Sequence, residues 1–263
     1  MGKAFAGKSV VVTGSTSGIG LGIARAFAAE GASVMLNGLG EPAVIEAARA
    51  AIESEFGVKA GYHGADMLKP AEIADLVRTA ERQFGAVDVL VNNAGIQQVS
   101  PVDEFPIDKW DAIIAINLSA AFHATRAALP GMKKRGWGRV INVASVHGLV
   151  ASPYKSAYVA AKHGLVGFTK TVALEVAEQG ITVNAICPGF VWTPLVEKQM
   201  NDLARSHGIP TEKVVADIML ATQPTKKFIR IEDVARVALN LADDSAAQIT
   251  GTTITIDGGW TAR

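Results

Sequence analysis

Seven short apolar runs recur along this 263-residue chain, with helix-length stretches between them. They are SVVVTG (9–14), SVMLNG (33–38), AGYHGAD (60–66), VDVLVNNAG (87–95), GRVINVAS (138–145), ITVNAICPG (181–189) and GTTITIDGG (251–259). The intervening stretches, such as IGLGIARAFAAEGA (19–32), carry apolar residues at helical spacing and stop at Gly. Strands that alternate with helices of this length form βαβ units, and the sheet they build is parallel and covered on both faces. The expected fold is α/β, a doubly wound parallel sheet of seven strands.

No linker-like or low-complexity tract divides the chain, so residues 1–263 are expected to form one domain. With 49% hydrophobic residues the chain has one large core to bury. The alternation breaks only between 190 and 230, a segment too long for an ordinary connection and set beyond the carboxyl end of the sixth strand. That position suits a helical lid over a ligand crevice. Lys+Arg and Asp+Glu both number 25, which leaves no basic field for nucleic acid or anionic lipid. Small molecules or copies of the chain itself are the expected partners. A single cysteine, Cys187, excludes an internal disulfide framework and suits a reducing, cytoplasmic setting. The opening MGKAFAGKSVVVTG runs straight into a strand pattern, so no signal peptide is expected, and Ala6 stands where myristoylation wants Ser or Thr. No apolar run approaches the ~20 residues of a membrane span. Metal-ligand spacing is absent from histidines 63, 123, 163 and 207.

The stretch TGSTSGIG (13–20) follows the first strand and opens the first helix. Gly14, Gly18 and Gly20 allow a tight turn, leave room for a pyrophosphate, and let a helix N-terminus present free N–H groups to it. This is a Rossmann-like site for a dinucleotide. At the end of the second strand such sites carry a carboxylate for a ribose 2′-OH or an Arg for a 2′-phosphate. This chain has Asn37-Gly38-Leu39-Gly40, with no basic residue there or at Ser15, Thr16 and Ser17. A 2′-phosphate would lack a charged partner, which favours NAD over NADP.

Taken together, TGSTSGIG, NNAG (92–95), Asn117, Ser145 and the pair Tyr158 and Lys162 are similar in order and spacing to the short-chain dehydrogenase/reductase family. The resemblance runs from about residue 8 to the end of the sequence. It implies a nicotinamide dinucleotide lined by Gly14, Thr16, Ser17, Gly18, Ile19, Gly20, Leu39, Asp66, Met67, Asn93, Ala94, Gly95, Tyr158, Lys162, Pro188, Gly189, Val191 and Thr193. Asp66 resembles the family residue that bonds the adenine amino group, and an Asp there also suits a helix cap. The family's roles then fall on Tyr158 as general base, Lys162 as its cation and ribose ligand, Ser145 as the group steadying the substrate oxygen, and Asn117 as support for a water-linked proton relay. The resemblance further implies a homotetramer. Tyr158 and Lys162 stand four apart, on one face of a helix. A phenol must fall roughly three units from ~10 to act as a base near neutrality, about 4 kcal/mol, and an adjacent ammonium pushes that way.

Lys155 and His147 flank this group, and neither belongs to the general motif. A cation and an imidazole beside a hydroxyl-oxidising centre suggest a substrate carboxylate held away from the reacting carbon. Here the sequence resembles members of the family that oxidise D-3-hydroxybutyrate, whose carboxylate-binding set falls on Gln97, His147, Lys155 and Gln199; Trp260 suits the core, a subunit contact or the wall of a methyl pocket. Phe190 stands where those members carry Trp, and a Trp follows at 192, which points to a wider pocket and a longer acyl chain. Two other readings share the core motifs: a 3-oxoacyl-carrier-protein reductase using NADPH, and an NAD-sensing protein without chemistry. Lys155 and the uncharged corner after the second strand weigh against the first, and the joint presence of Asn117, Ser145, Tyr158 and Lys162 against the second.

Overall fold

The computed structural model describes residues 3–193, 196, 197, 200 and 210–262, with Ile218 described by its backbone alone. All seven expected strands are present: β1 Ser9–Val12, β2 Ser33–Asn37, β3 Ala60–His63, β4 Val89–Asn92, β5 Gly138–Val143, β6 Ile181–Pro188 and β7 Thr253–Ile256. Every pairing is parallel and the order is β3-β2-β1-β4-β5-β6-β7. Most strands are shorter than their apolar runs at the carboxyl end, where Gly14, Asn93 to Gly95 and Ser145 leave the ladder to form loops. Those loops are where the chemistry-bearing residues lie.

Around the sheet stand α1 Gly18–Ala29, α2 Pro42–Phe56, α3 Pro70–Phe84, α4 Ile107–Ile114, α5 Ala120–Arg135, α6 Ser156–Val176 and α7 Ile231–Ala242. Successive strand residues serve opposite faces, because side chains alternate along a strand. Val10 and Val12 enter the core under α1 and α7, whereas Val11 enters the core under α3, α5 and α6. Both faces are therefore apolar, and the strands read as continuous hydrophobic runs.

A buried polar chain fixes two helices to this sheet. Asn92 Nδ2 donates to Asn142 Oδ1 at 2.8 Å and to Thr125 Oγ1 at 3.2 Å, and Asn142 Nδ2 donates to Thr169 Oγ1 at 2.8 Å. Thr125 lies on α5 and Thr169 on α6. These bonds in low dielectric tie the strands and helices in register, with Asn92 Oδ1 the one buried side-chain atom of these residues left without a partner among the described residues. The network ties down α6, which carries Tyr158 and Lys162, together with α5.

One expectation is corrected. Ile107–Arg135 is a continuous helical stretch of 29 residues, long and apolar enough by length and composition to cross a membrane. The apolar run itself is interrupted by charges, but a π-helical turn, Ala115–Ser119, joins α4 to α5 and makes the helix long. Ala120, Ala124, Ala128 and Met132 on it are buried in the core beside α3, as befits a core helix of an α/β domain.

Candidate active site

The strand order reverses between β1 and β4, which opens a crevice at their carboxyl ends. The glycine loop after β1 occupies one wall. A Cβ on Gly14 would lie 2.8 Å from the Ala94 Cα, and one on Gly20 would lie 2.4 Å from the Gly14 carbonyl. These two glycines are demanded by packing. Gly18 differs, since it has φ +55° and its absent Cβ would meet only Thr193 Cγ2, at 3.8 Å. It faces open space where α1 begins, with no acidic residue in the first turn and no side-chain cap on Ser17. An uncapped N-terminus beside a glycine cradle fits a pyrophosphate.

The loop is held from both sides. Thr13 Oγ1 accepts from the N–H groups of Asn93 at 3.0 Å and Ala94 at 3.1 Å, and Asn93 Nδ2 donates to the carbonyls of Thr13 and Gly14. Asn37, expected only as an uncharged corner, is buried and takes part: its Oδ1 accepts from Gly14 N–H at 3.1 Å and its Nδ2 donates to the His63 and Ala65 carbonyls at 3.0 Å. The side chain at the end of β2 is thus spent inside the fold. Leu39, two residues on, is 68% exposed.

Ser145 leaves β5 and its Oγ accepts from His147 N–H at 3.1 Å. Tyr158 and Lys162 stand one turn apart on α6. Burial pushes the Tyr158 phenol up from its ordinary value, and a hydrogen bond with Ser145 opposes the rise. The sequence led us to expect the adjacent lysine, with the positive nicotinamide of bound NAD, to lower this phenol; the protein's own groups give the opposite net direction, because desolvation outweighs the hydrogen bond. Lys162 Nζ instead donates to the Val143 carbonyl at 2.8 Å, lies 5.6 Å from the Tyr158 ring centre, and is lowered by burial to about 8. Asn117, in the π-helical turn, accepts from Ile96 N–H at 2.8 Å and donates to the Ile96 carbonyl at 2.9 Å. Both ends of its amide hold the loop after β4.

Beside Tyr158 stands a second cluster. Lys155 Nζ lies 3.4 Å from His147 Nε2, the His147 ring meets Trp260 edge-on at 5.4 Å, and Trp260 stacks on Phe190 at 5.5 Å and 21°. An ammonium only donates, so Nε2 accepts and the neutral ring carries its proton on Nδ1, a buried atom without a partner among the described residues. Burial, then the Lys155 charge, lowers His147 to about 4, and burial lowers Lys155. His147 is therefore neutral at neutral pH. A base whose folded-state pKa is depressed contributes stability that is present above its unfolded value of ~6.5 and is lost as pH falls through that value towards about 4. Denaturant unfolding is expected to show a loss of about 2 kcal/mol from this group between pH 7 and pH 5. In His147→Gln that part of the pH dependence disappears. An unchanged pH slope in the variant would contradict the buried neutral imidazole.

The profile described as short chain dehydrogenase matches residues 8–204, about three quarters of the sequence. This chain belongs to the short-chain dehydrogenase family. Over 259 residues it is 60% identical to the D-beta-hydroxybutyrate dehydrogenase of Rhizobium meliloti (strain 1021), covering 97% of this chain and 99% of that one. It is 55% identical to the D-beta-hydroxybutyrate dehydrogenase of Cupriavidus necator, covering 98% and 99%. Among solved structures, L-sorbose reductase from Gluconobacter frateurii, complexed with NADPH and L-sorbose, aligns over all of both chains with TM-score 0.94 and 32% identity.

Within this short-chain dehydrogenase, the structure brings together Ser145, His147, Lys155, Tyr158, Lys162 and Trp260. Gln97 is exposed in the loop after β4, and Gln199 lies outside the described residues. Asp66 Oδ1 accepts from Leu68 N–H at 2.9 Å, a turn-capping role ahead of α3. Pro188 ends β6, and Val191 forms an isolated bridge with Ile229 that closes the base of the 190–230 segment. Sequence reading missed Tyr154, a non-glycine residue at φ +66° immediately before Lys155, whose carbonyl accepts from Ser100 N–H at 2.9 Å. Nothing in its residue type marks it, because strain of this kind is imposed by neighbours. Among the described residues no group of His, Cys, Asp and Glu could hold a metal ion.

Proposed function

We propose that this short-chain dehydrogenase reversibly oxidises D-3-hydroxybutyrate, or a close short 3-hydroxy acid, to the 3-oxo acid with NAD. The observation that carries the reading is the Lys155–His147 pair beside Ser145 and Tyr158, backed by an aromatic wall of Trp260 and Phe190. Such a site offers a cation for a carboxylate, a hydroxyl and phenol for a carbinol oxygen, and an apolar surface for the methyl end. The two relatives at 55–60% identity carry the same substrate in their names, which supports the assignment.

Bound NAD supplies the hydride acceptor. The glycine loop and the start of α1 hold its pyrophosphate, with Asn93 to Gly95 on the opposite wall of the crevice. Ser145 would steady the carbinol oxygen while Tyr158 takes the hydroxyl proton, and the Lys162 ammonium, one helical turn away on the same face, would favour the anionic form of the phenol. Lys155 holds the carboxylate, with the His147 imidazole beside it. Gln97 and Gln199 complete that set in this reading, and Asn117 supports the outward passage of the proton.

The experiment follows absorbance of reduced cofactor with the D and L acids, using NAD and then NADP. Turnover of the D acid with NAD is expected, with kcat/KM for NAD above that for NADP by about 1 to 3 kcal/mol, the scale of one recognition contact. Equal use of both cofactors would sink the NAD assignment, and a carrier-bound 3-oxoacyl substrate outperforming the hydroxy acid would sink the substrate assignment.

The same reading makes the chain a single domain, cytoplasmic and a homotetramer, with residues 190–230 covering the substrate. The exposed apolar residues Ile107 and Leu174 support self-association, and light scattering at four times the 27.5 kDa chain mass is the expected result.

A further inference from the structure

Gln223 is assigned to neither the cofactor site nor the substrate site described above, yet it is fully buried and tied to three separate segments around them. Its Oε1 accepts from Phe190 N–H at 3.2 Å, at the exit from β6, and its Nε2 donates to the Lys227 carbonyl. Two glycines make room for it: a Cβ on Gly189 would lie 2.6 Å from Gln223 Oε1, and one on Gly258 would lie 2.7 Å from its Cγ. Thr225 N–H, two residues on, donates to the Gly258 carbonyl at 3.1 Å. One amide side chain thus sits at the junction of the strand end, the 220s and the turn that carries Trp260.

The junction matters because of what leaves it. Phe190 and Trp260 emerge from two of the three segments and stack on each other, and Trp260 meets His147. Backbone shifts at Phe190 or Gly258 therefore move the aromatic wall relative to Lys155 and Tyr158. A buried amide with both ends engaged resists such shifts, since moving either segment strands a polar group away from water.

We propose that Gln223 is a positioning residue that sets the Phe190–Trp260 wall and thereby the fit of the substrate's acyl end. The part concerning acyl fit rests on the hydroxy-acid reading; the link from Gln223 to Phe190 does not.

The test uses the full-length enzyme with Gln223→Met, which keeps the volume and loses both hydrogen bonds, and Gln223→Glu, which keeps the acceptor for Phe190 N–H. In Gln223→Met we expect the Phe190 amide to exchange faster by NMR. For the hydroxy acid KM rises roughly tenfold with kcat changed far less, and preference for a four-carbon over a six-carbon acid narrows, on the scale one pocket contact gives. NAD affinity falls less than KM rises, because the glycine loop and α1 lie away from the junction and only Gly189 and its neighbours at the end of β6 are shared with the cofactor lining. Gln223→Glu falls between parent and Gln223→Met, and serves as the test if the Met variant fails to fold. An unchanged Phe190 amide overturns the proposal whatever the substrate proves to be. Unchanged KM and chain-length preference, or equal loss of NAD affinity and KM, overturns it as well. If the parent does not oxidise the hydroxy acid, the functional reading fails, while the amide exchange still decides the structural link.

Discussion

Tyr158→Phe is expected to lower kcat about 10³-fold with the fold and NAD affinity retained, within the range that a positioned acid–base group contributes. The ring remains to pack against His147, 6.0 Å away, so only the hydroxyl is lost. Stopped-flow or steady-state assay of hydroxy-acid oxidation measures it. The pH profile supplies a second arm. Tyr158 must be deprotonated to act as a base, burial raises its pKa, and the Ser145 hydrogen bond is what opposes that rise. Ser145→Ala should therefore move the ascending limb to higher pH in addition to lowering the rate. A Tyr158→Phe enzyme that keeps even a tenth of its rate would remove Tyr158 from the chemistry.

Lys155→Ala is expected to lower kcat/KM for the hydroxy acid by ~2 to 5 kcal/mol, the usual loss on removing one partner of a desolvated charge pair. Lys155 is half-buried beside the Phe190 ring, 5.9 Å from its centre, and its polar neighbour is the neutral His147. Among the described residues no carboxylate pairs with it, so a substrate carboxylate would be its first counter-charge. NAD affinity should hardly move, and a neutral secondary alcohol should be oxidised at nearly the parent rate. Lys162→Ala is the contrast. That lysine is buried on the tyrosine's own helical face, so its loss should weaken NAD binding and shift the activity profile to higher pH. Parallel NAD titrations and hydroxy-acid kinetics on both variants separate the two roles. If Lys155→Ala oxidises 3-hydroxybutyrate as well as the parent does, the acidic-substrate reading fails.

The sequence by itself determined the sheet, the crevice and the family. Strands buried on both faces need unbroken apolar runs, and a glycine loop between strand and helix has only a few residue patterns that fit its backbone. For the same reason Gly14, Gly20, Ser145, Tyr158 and Lys162 were legible: local backbone geometry or one helical turn sets their relations. What the tertiary structure decided concerns residues distant in sequence whose roles depend on what packs on them. Asn37 is spent on the glycine loop because Gly14, His63 and Ala65 converge on it. Burial, which no spacing reveals, pushes the Tyr158 phenol up and outweighs its hydrogen bond with Ser145. The helix joining α4 to α5 became continuous through a π-helical turn that the charge pattern concealed. Nothing in the sequence singles out Gln223, and only the meeting of Gly189, Phe190, Lys227 and Gly258 around it gives it a place. A side chain's chemistry is written in the sequence, but the dielectric around it and the partners within ~3 Å of it are set by the fold.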